Sequence, residues 1–231
     1  LARLLLPEEY GKFYYLIGTL AFIVQLVGLS IRSISIRNVS FLYSNNIERC
    51  KKYIYSSRFI GLGLSFFGLG ILNILIKIFS ESYIVIDYGF QLLFFVLIAI
   101  VSEIYYGLTL GILEGLKLFK ALNILTIIIV FLKFIFTILG TYFYGVTIGI
   151  LCWVAASIFG ASIIFFFFKR ALLQKQLNLR GIKIKDCKSE IKLFIKYSLP
   201  STIELSLLLL FMWLIKTNIY STGETGKAKI A

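Results

Sequence analysis

Apolar residues run along this chain in blocks of membrane-crossing length, and the polar and charged residues gather in the gaps. Six blocks stand out, at 13–31, 59–79, 84–111, 122–144, 145–168 and 197–215. A helix needs about 20 largely apolar residues to cross the hydrocarbon core of a bilayer, and each block reaches or nearly reaches that length. In lipid the backbone must satisfy its own hydrogen bonds, so runs of this kind predict helices. The fourth and fifth blocks meet at the short glycine-containing stretch 140–145, which predicts an antiparallel hairpin. The expected fold is all-α: a polytopic transmembrane bundle of about six membrane helices.

One gap has its own pattern. In KSEIKLFIKYSL, Lys188, Lys192 and Lys196 share one helical stripe, while Ile191, Phe194, Ile195 and Leu199 share another. This spacing predicts an amphipathic helix lying in the cytoplasmic interface. Pro200 then falls near the first turn of the sixth block, where a missing N–H costs little.

Composition agrees with a membrane chain. Hydrophobic residues make up 59% of 231 and charged residues 15%, with mean hydropathy +0.93, against about half apolar and a quarter charged in soluble domains. The net charge of +13 is scattered between apolar blocks rather than gathered on one basic face. It therefore reads as membrane topology, with no nucleic-acid partner. The loop after the first block holds Arg32, Arg37, Arg49, Lys51, Lys52 and Arg58. Lys117 and Lys120 follow the third block, and nine further cations lie between Lys169 and Lys196. These alternate loops are assigned to the cytoplasm, which places residues 1–12 and the C-terminal tail outside. An outside start in LARLLL suggests one more helix before Leu1.

The ends echo each other. Glu9, Gly11 and Lys12 reappear with the same spacing as Glu224, Gly226 and Lys227, and both stretches follow an apolar run that ends outside. Repeated halves characterise many transporter folds, with the substrate path at their interface.

Several stretches, in order along the chain, resemble one family. LARLLLPEEYGKFYYL looks like the first extracellular turn of polysaccharide flippases of the multidrug/oligosaccharidyl-lipid/polysaccharide exporter superfamily. It departs from their pattern at Leu6, where glycine is frequent. VGLSIRSISIRNVSFLYSNNIERCKKYIYSS is similar to the second helix and first cytoplasmic loop of that family. LGILEGLKLFKALNIL is similar to the loop after the fourth helix, and IKYSLPSTIE to the lead-in to the seventh. The resemblance implies an incomplete two-lobe transporter. Residues 1–168 would form the first-lobe bundle, its first helix largely missing. Residues 169–196 would form a basic amphipathic linker, and 197–231 the first helix and outer turn of the second lobe. It further implies a multi-pass protein of the cytoplasmic (inner) membrane that flips an undecaprenyl- or dolichyl-type lipid-linked glycan by alternating access. Polysaccharide-assembly proteins would be its partners, beside the lipid bilayer itself. A drug/cation antiporter of the same superfamily, a cell-wall precursor flippase and a non-transporting membrane scaffold stay open as alternatives.

Ionisable groups inside a membrane cost about 2.5–3.5 kcal/mol each on insertion scales and default to functional candidates. Lys133, Glu103 and Glu204 lie within apolar blocks, and Arg32 and Arg37 lie just past the first. Cations along a route would escort a diphosphate, Lys as a point charge and Arg as a bidentate fork. Arg32 and Arg37 also fit plain positive-inside anchors. Glu103 and Lys133 are within reach if their helices pack side by side, either as a structural pair or as two groups lining a cavity. Gln25 offers neutral hydrogen bonds to sugar hydroxyls. Gly107, Gly111 and Gly115 continue the Glu103 stripe at four-residue spacing, which lets another backbone approach closely. Gly145 and Gly149 read as packing faces too.

No catalytic set is legible. Histidine is absent, Cys50, Cys152 and Cys187 lack ligand spacing, and no phosphate-binding loop occurs. No metal or cofactor is expected, and the chain does not read as an enzyme. Energy for transport would come from an ion gradient, the membrane potential or substrate supply.

Overall fold

The computed structural model describes residues 17, 18, 24, 31–78, 84–179, 181–197, 211 and 215. Gln25, Glu204, the head stretch 1–12 and the tail 216–231 lie outside the described residues, as does most of the first and sixth blocks. Among the described residues the protein is all-helical and has no strand. We number the helices α1 (31–45), α2 (Ile47–Ile78), α3 (Ile84–Gly115), α4 (Phe119–Gln174) and α5 (188–197), with a short 3-10 turn at Ile184–Cys187 before α5. Among the described residues, two apolar segments are long enough to cross a membrane, Ile98–Gly115 within α3 and the whole of α4.

The junctions show why the chain turns where it does. Between α1 and α2 only Asn46 is non-helical. Its Oδ1 accepts the Arg49 amide at 3.0 Å, the bond of an N-cap side chain to its third helical residue. In a straight helix, residues 15 apart would stand about 22 Å from each other. Asn38 Nδ2 instead donates to Tyr53 Oη at 3.2 Å, so the chain bends sharply at Asn46 and α2 runs back beside α1.

α3 ends in a Schellman-type cap: Leu118 N–H bonds Leu113 C=O at 3.2 Å and Lys117 N–H bonds Glu114 C=O at 2.9 Å. Such a cap needs a left-handed residue, and Lys117 supplies it at φ 63°. The same pair of bonds closes α4 around Gln176 at φ 55°.

α4 is two helices joined at Gly145. A straight helix of its 56 residues would be about 84 Å long, well beyond any bilayer. Gly145 has φ 82° and ψ −178°, a region open essentially to glycine alone, and the chain reverses there. The arms then pack closely through small residues. A Cβ on Gly140 would stand 2.6 Å from Cys152 Sγ, one on Gly160 would stand 2.7 Å from Ile129 Cγ2, and one on Gly149 would overlap Thr141 Oγ1. Gly145 is thus corrected from a packing residue to the turn itself, since nothing lies within 4 Å of where its Cβ would be.

The core runs through all the long helices. It includes Ile31 and Val39 of α1, Tyr53 and Ile54 of α2, Ile104 and Leu108 of α3, and Ile150 and Phe168 of α4. The opposite face of the hairpin stays open and apolar: Ile127, Phe131, Phe134 and Phe166 are each at least 60% exposed. Tyr142, Phe143 and Tyr144 ring the turn, where aromatic side chains suit a membrane–water boundary.

The helix expected over KSEIKLFIKYSL forms across 188–197, with Ser198 and Leu199 outside the described residues, but its apolar stripe divides. Phe194 is buried, with its ring 6.1 Å from that of Tyr53. Ile195 faces outward with Lys188, Lys192 and Lys196. The basic linker is therefore docked on α2 through part of the face assigned to lipid.

Candidate functional site

The hairpin places Lys133 deep in the apolar region. At 1.5 Å per residue, it stands about 20 Å from Lys120 at one end of the first arm and about 18 Å from Gly145 at the other. Its ammonium pairs with the Glu103 carboxylate of α3, and it lies 4.0 Å from the ring centroid of Trp153 on the second arm. One turn on, Thr137 Oγ1 donates to the Lys133 carbonyl at 2.7 Å. Three helical segments thus converge on one charge. The Lys133 and Glu103 side chains keep 20% and 22% exposure, so the pair is screened by protein yet open on one side.

Close packing beside it comes from the glycine stripe of α3, and the partner is α1. A Cβ on Gly111 would meet the Arg32 carbonyl oxygen at 2.6 Å, and one on Gly115 would meet Val39 Cβ at 2.7 Å and the Ile36 carbonyl oxygen at 3.0 Å. Gly107 has nothing within 4 Å and does not belong to this contact.

The same approach brings Arg32 to Glu114. Arg32 Nε donates to Glu114 Oε2 at 3.3 Å, and Nη2 pairs with Oε1. The sequence reading missed Glu114. The signal was its place inside the glycine stripe, one residue before Gly115 and on the helix face that α1 approaches.

Arg37 is not in this group. Its guanidinium carbon lies 4.3 Å from the Tyr197 ring centroid at the end of α5, which ties α1 to the linker. Arg49 makes a second tie: its Nε donates to Glu190 Oε1 at 3.2 Å, and Ser189 Oγ donates to Glu190 Oε2 at 2.6 Å. Burial pushes the Glu190 carboxyl up, but the Ser189 hydroxyl and the Arg49 guanidinium outweigh it and hold the group below its ordinary value. Burial also raises the thiol of Cys187, and it raises those of Cys50 and the Tyr53 phenol to about 12.

Of the candidates, then, Lys133 and Glu103 meet each other, Arg32 meets Glu114, and Arg37 faces the linker. The first two arrangements are charge-balanced. Each offers a cation that can exchange its carboxylate for an anionic ligand, and a carboxylate that can take up a proton or cation when the exchange occurs. Among the described residues no group of His, Cys, Asp and Glu has metal-binding geometry.

No family model matches the chain, and no curated protein or solved structure matches it.

Proposed function

We propose that this protein is a membrane transporter that flips a lipid-linked oligosaccharide across the cytoplasmic membrane by alternating access. The observation that carries the reading is the Lys133–Glu103 pair, an ion pair at mid-depth of an apolar helical bundle, partly open and covered by Trp153. An isolated intramembrane charge is costly, and a pair that is satisfied at rest lowers that cost until a ligand arrives. A diphosphate would replace Glu103 as the partner of Lys133, with Arg32 released from Glu114 in the same way. The displaced carboxylates would then carry any coupled proton. The glycan would ride in the polar path while the lipid tail stays in the bilayer. Phosphate binding to Lys and Arg supplies the charge-assisted bonds for this exchange.

The carboxylates favour a second reading, a drug/cation antiporter in which Glu103 and Glu114 bind the cation. One experiment separates the two. Lys133→Gln combined with Glu103→Gln leaves a neutral, hydrogen-bonding pair that preserves packing. In cells that depend on the intact protein, the double variant should reach wild-type membrane level and lose surface glycan at least about tenfold. Wild-type glycan export would sink the flippase reading, and loss of cation efflux with unchanged glycan would establish the antiporter.

A further inference from the structure

Arg58 has no part in the proposed route, yet among the described residues it is the cation held by the most aromatic rings. It stands on α2 where the polar start of that helix meets its apolar block. Its guanidinium carbon lies 5.6 Å from the Tyr105 ring of α3, and 5.4 Å from each of the Phe165 and Phe168 rings of α4. Its Nε donates to Tyr105 Oη at 2.6 Å. Lys169 lies over the same Phe165 ring, its Nζ 4.6 Å from the centroid. Two cations therefore flank one aromatic ring at the junction of three helices.

The shared Phe165 ring sets this pair apart from the other cations without a carboxylate. Arg32, Arg49, Lys51 and Lys133 each have a carboxylate partner. Among the described residues, Arg58 and Lys169 have none. A guanidinium has five N–H donors, and among the described residues Tyr105 takes only the one on Nε. The outer fork of Arg58 is left in the geometry that suits a phosphate, with its plane held by aromatic rings.

Depth and surroundings identify the ligand. Arg58 precedes the apolar block that begins at 59, and Lys169 follows the one that ends at 168, so both lie at headgroup level on one side. Below Arg58 on α2, Phe59, Leu62 and Phe66 are exposed at 45%, 42% and 71%. Their spacing places them on one helix face, a track for acyl chains running into the bilayer. We propose that Arg58 and Lys169 bind the phosphate of an anionic phospholipid of the cytoplasmic leaflet, with its chains along this track. Basic pockets between helices on that side commonly take such headgroups. The inference rests on the membrane reading of the apolar helices and is independent of what is transported.

The test uses the intact protein, purified from membranes in neutral detergent, with bound lipid counted by native mass spectrometry. The probes are phosphatidylglycerol and phosphatidylcholine. Phosphatidylglycerol should bind preferentially. Arg58→Gln and Lys169→Gln should each lower that preference about fivefold, the effect of about 1 kcal/mol per basic residue near a lipid surface. Lys120→Gln, on the same side but, among the described residues, without a contact to the Phe165 ring, should change it less than twofold. Inorganic phosphate at matched ionic strength should not displace the lipid. Lys169 is exposed, so its variant keeps the test open should Arg58→Gln fail to fold. A wild-type preference in both variants, an equal loss in Lys120→Gln, or displacement by inorganic phosphate would each overturn the proposal. Recovery of the protein from the soluble fraction would overturn the membrane reading as well, whereas a membrane protein without lipid preference overturns this site alone.

Discussion

Lys133 of α4 and Glu103 of α3, thirty residues apart in sequence, form an ion pair in the middle of the apolar bundle. Trp153 from the returning arm covers the ammonium. The pair fixes the register of three helical segments at once, because sliding any of them by one turn, about 5.4 Å, separates the charges.

Removing one partner should therefore cost more than removing both. Lys133→Gln leaves Glu103 without its counter-ion, and an unpaired charge in such a place costs several kcal/mol when fully buried. With about a fifth of each side chain exposed, the expected loss is about 2–3 kcal/mol. The neutral double variant Lys133→Gln/Glu103→Gln should lose less than half of that. Unfolding of the detergent-solubilised protein by heat or denaturant, compared across Lys133→Gln, Glu103→Gln and their combination, measures it. Equal losses in all three would show that the charges are not coupled.

The pair also shows what the sequence makes legible. Periodicity and block length give the helices over the second to fifth blocks, the hairpin at 140–145 and the presence of a charge midway along the first arm, because each is a local property; they do not give the helical run through 31–58, which is too polar to stand out as an apolar block. Spacing alone shows that Gly111 and Gly115 form a face, but not that α1 is what meets it. Glu114 went unnoticed because its partner Arg32 lies 82 residues away, and nothing local marks a long-range pair. Gly145 was misassigned because a turn glycine and a packing glycine look alike until φ is known. The docking of Phe194 on Tyr53 was hidden for a related reason: an amphipathic stripe does not say whether lipid or protein will cover it.

Gly145 gives a prediction that separates backbone strain from crowding. Gly145→Ala introduces a methyl into open space, so sterics outside the residue predict no effect. The backbone at φ 82° and ψ −178° nevertheless excludes residues with a Cβ, at a cost of about 1–3 kcal/mol. Gly149→Ala keeps ordinary helical backbone but collides with Thr141. Both should destabilise the hairpin, and only the second should be rescued by Thr141→Gly. Thermal unfolding of the two singles and their combinations with Thr141→Gly reads the difference. Rescue of Gly145→Ala by the same change would contradict the assignment of Gly145 as the turn.

The docked linker makes the last prediction, and its sign follows from Glu190. That carboxyl is 2% exposed and sits below its ordinary value of 4.5. A group whose folded value is depressed contributes stability that is full above the unfolded value and is lost as pH falls through the folded one. Linker docking should thus be constant from neutral pH down to about 4.5 and should weaken below it. Amide hydrogen exchange across residues 187–197, followed between pH 7 and pH 3 and corrected for intrinsic rates, should show protection falling only in the acid part of that range. At neutral pH the same contact is opened by Arg49→Gln, which removes a charge-assisted bond of about 1.5–3 kcal/mol. Cys187 is fully buried in the docked linker, with its thiol raised by that burial, so a maleimide should label it slowly at pH 7.5. In Arg49→Gln, labelling should accelerate by roughly tenfold to a hundredfold, the rate equivalent of that energy. Cys50, buried on α2 with its thiol raised to about 12, reports whether α2 itself has opened. Acceleration at Cys187 with Cys50 unchanged identifies undocking of the linker. Equal acceleration at both would mean that Arg49 stabilises the bundle as a whole and that the Glu190 contact is not a separate hinge.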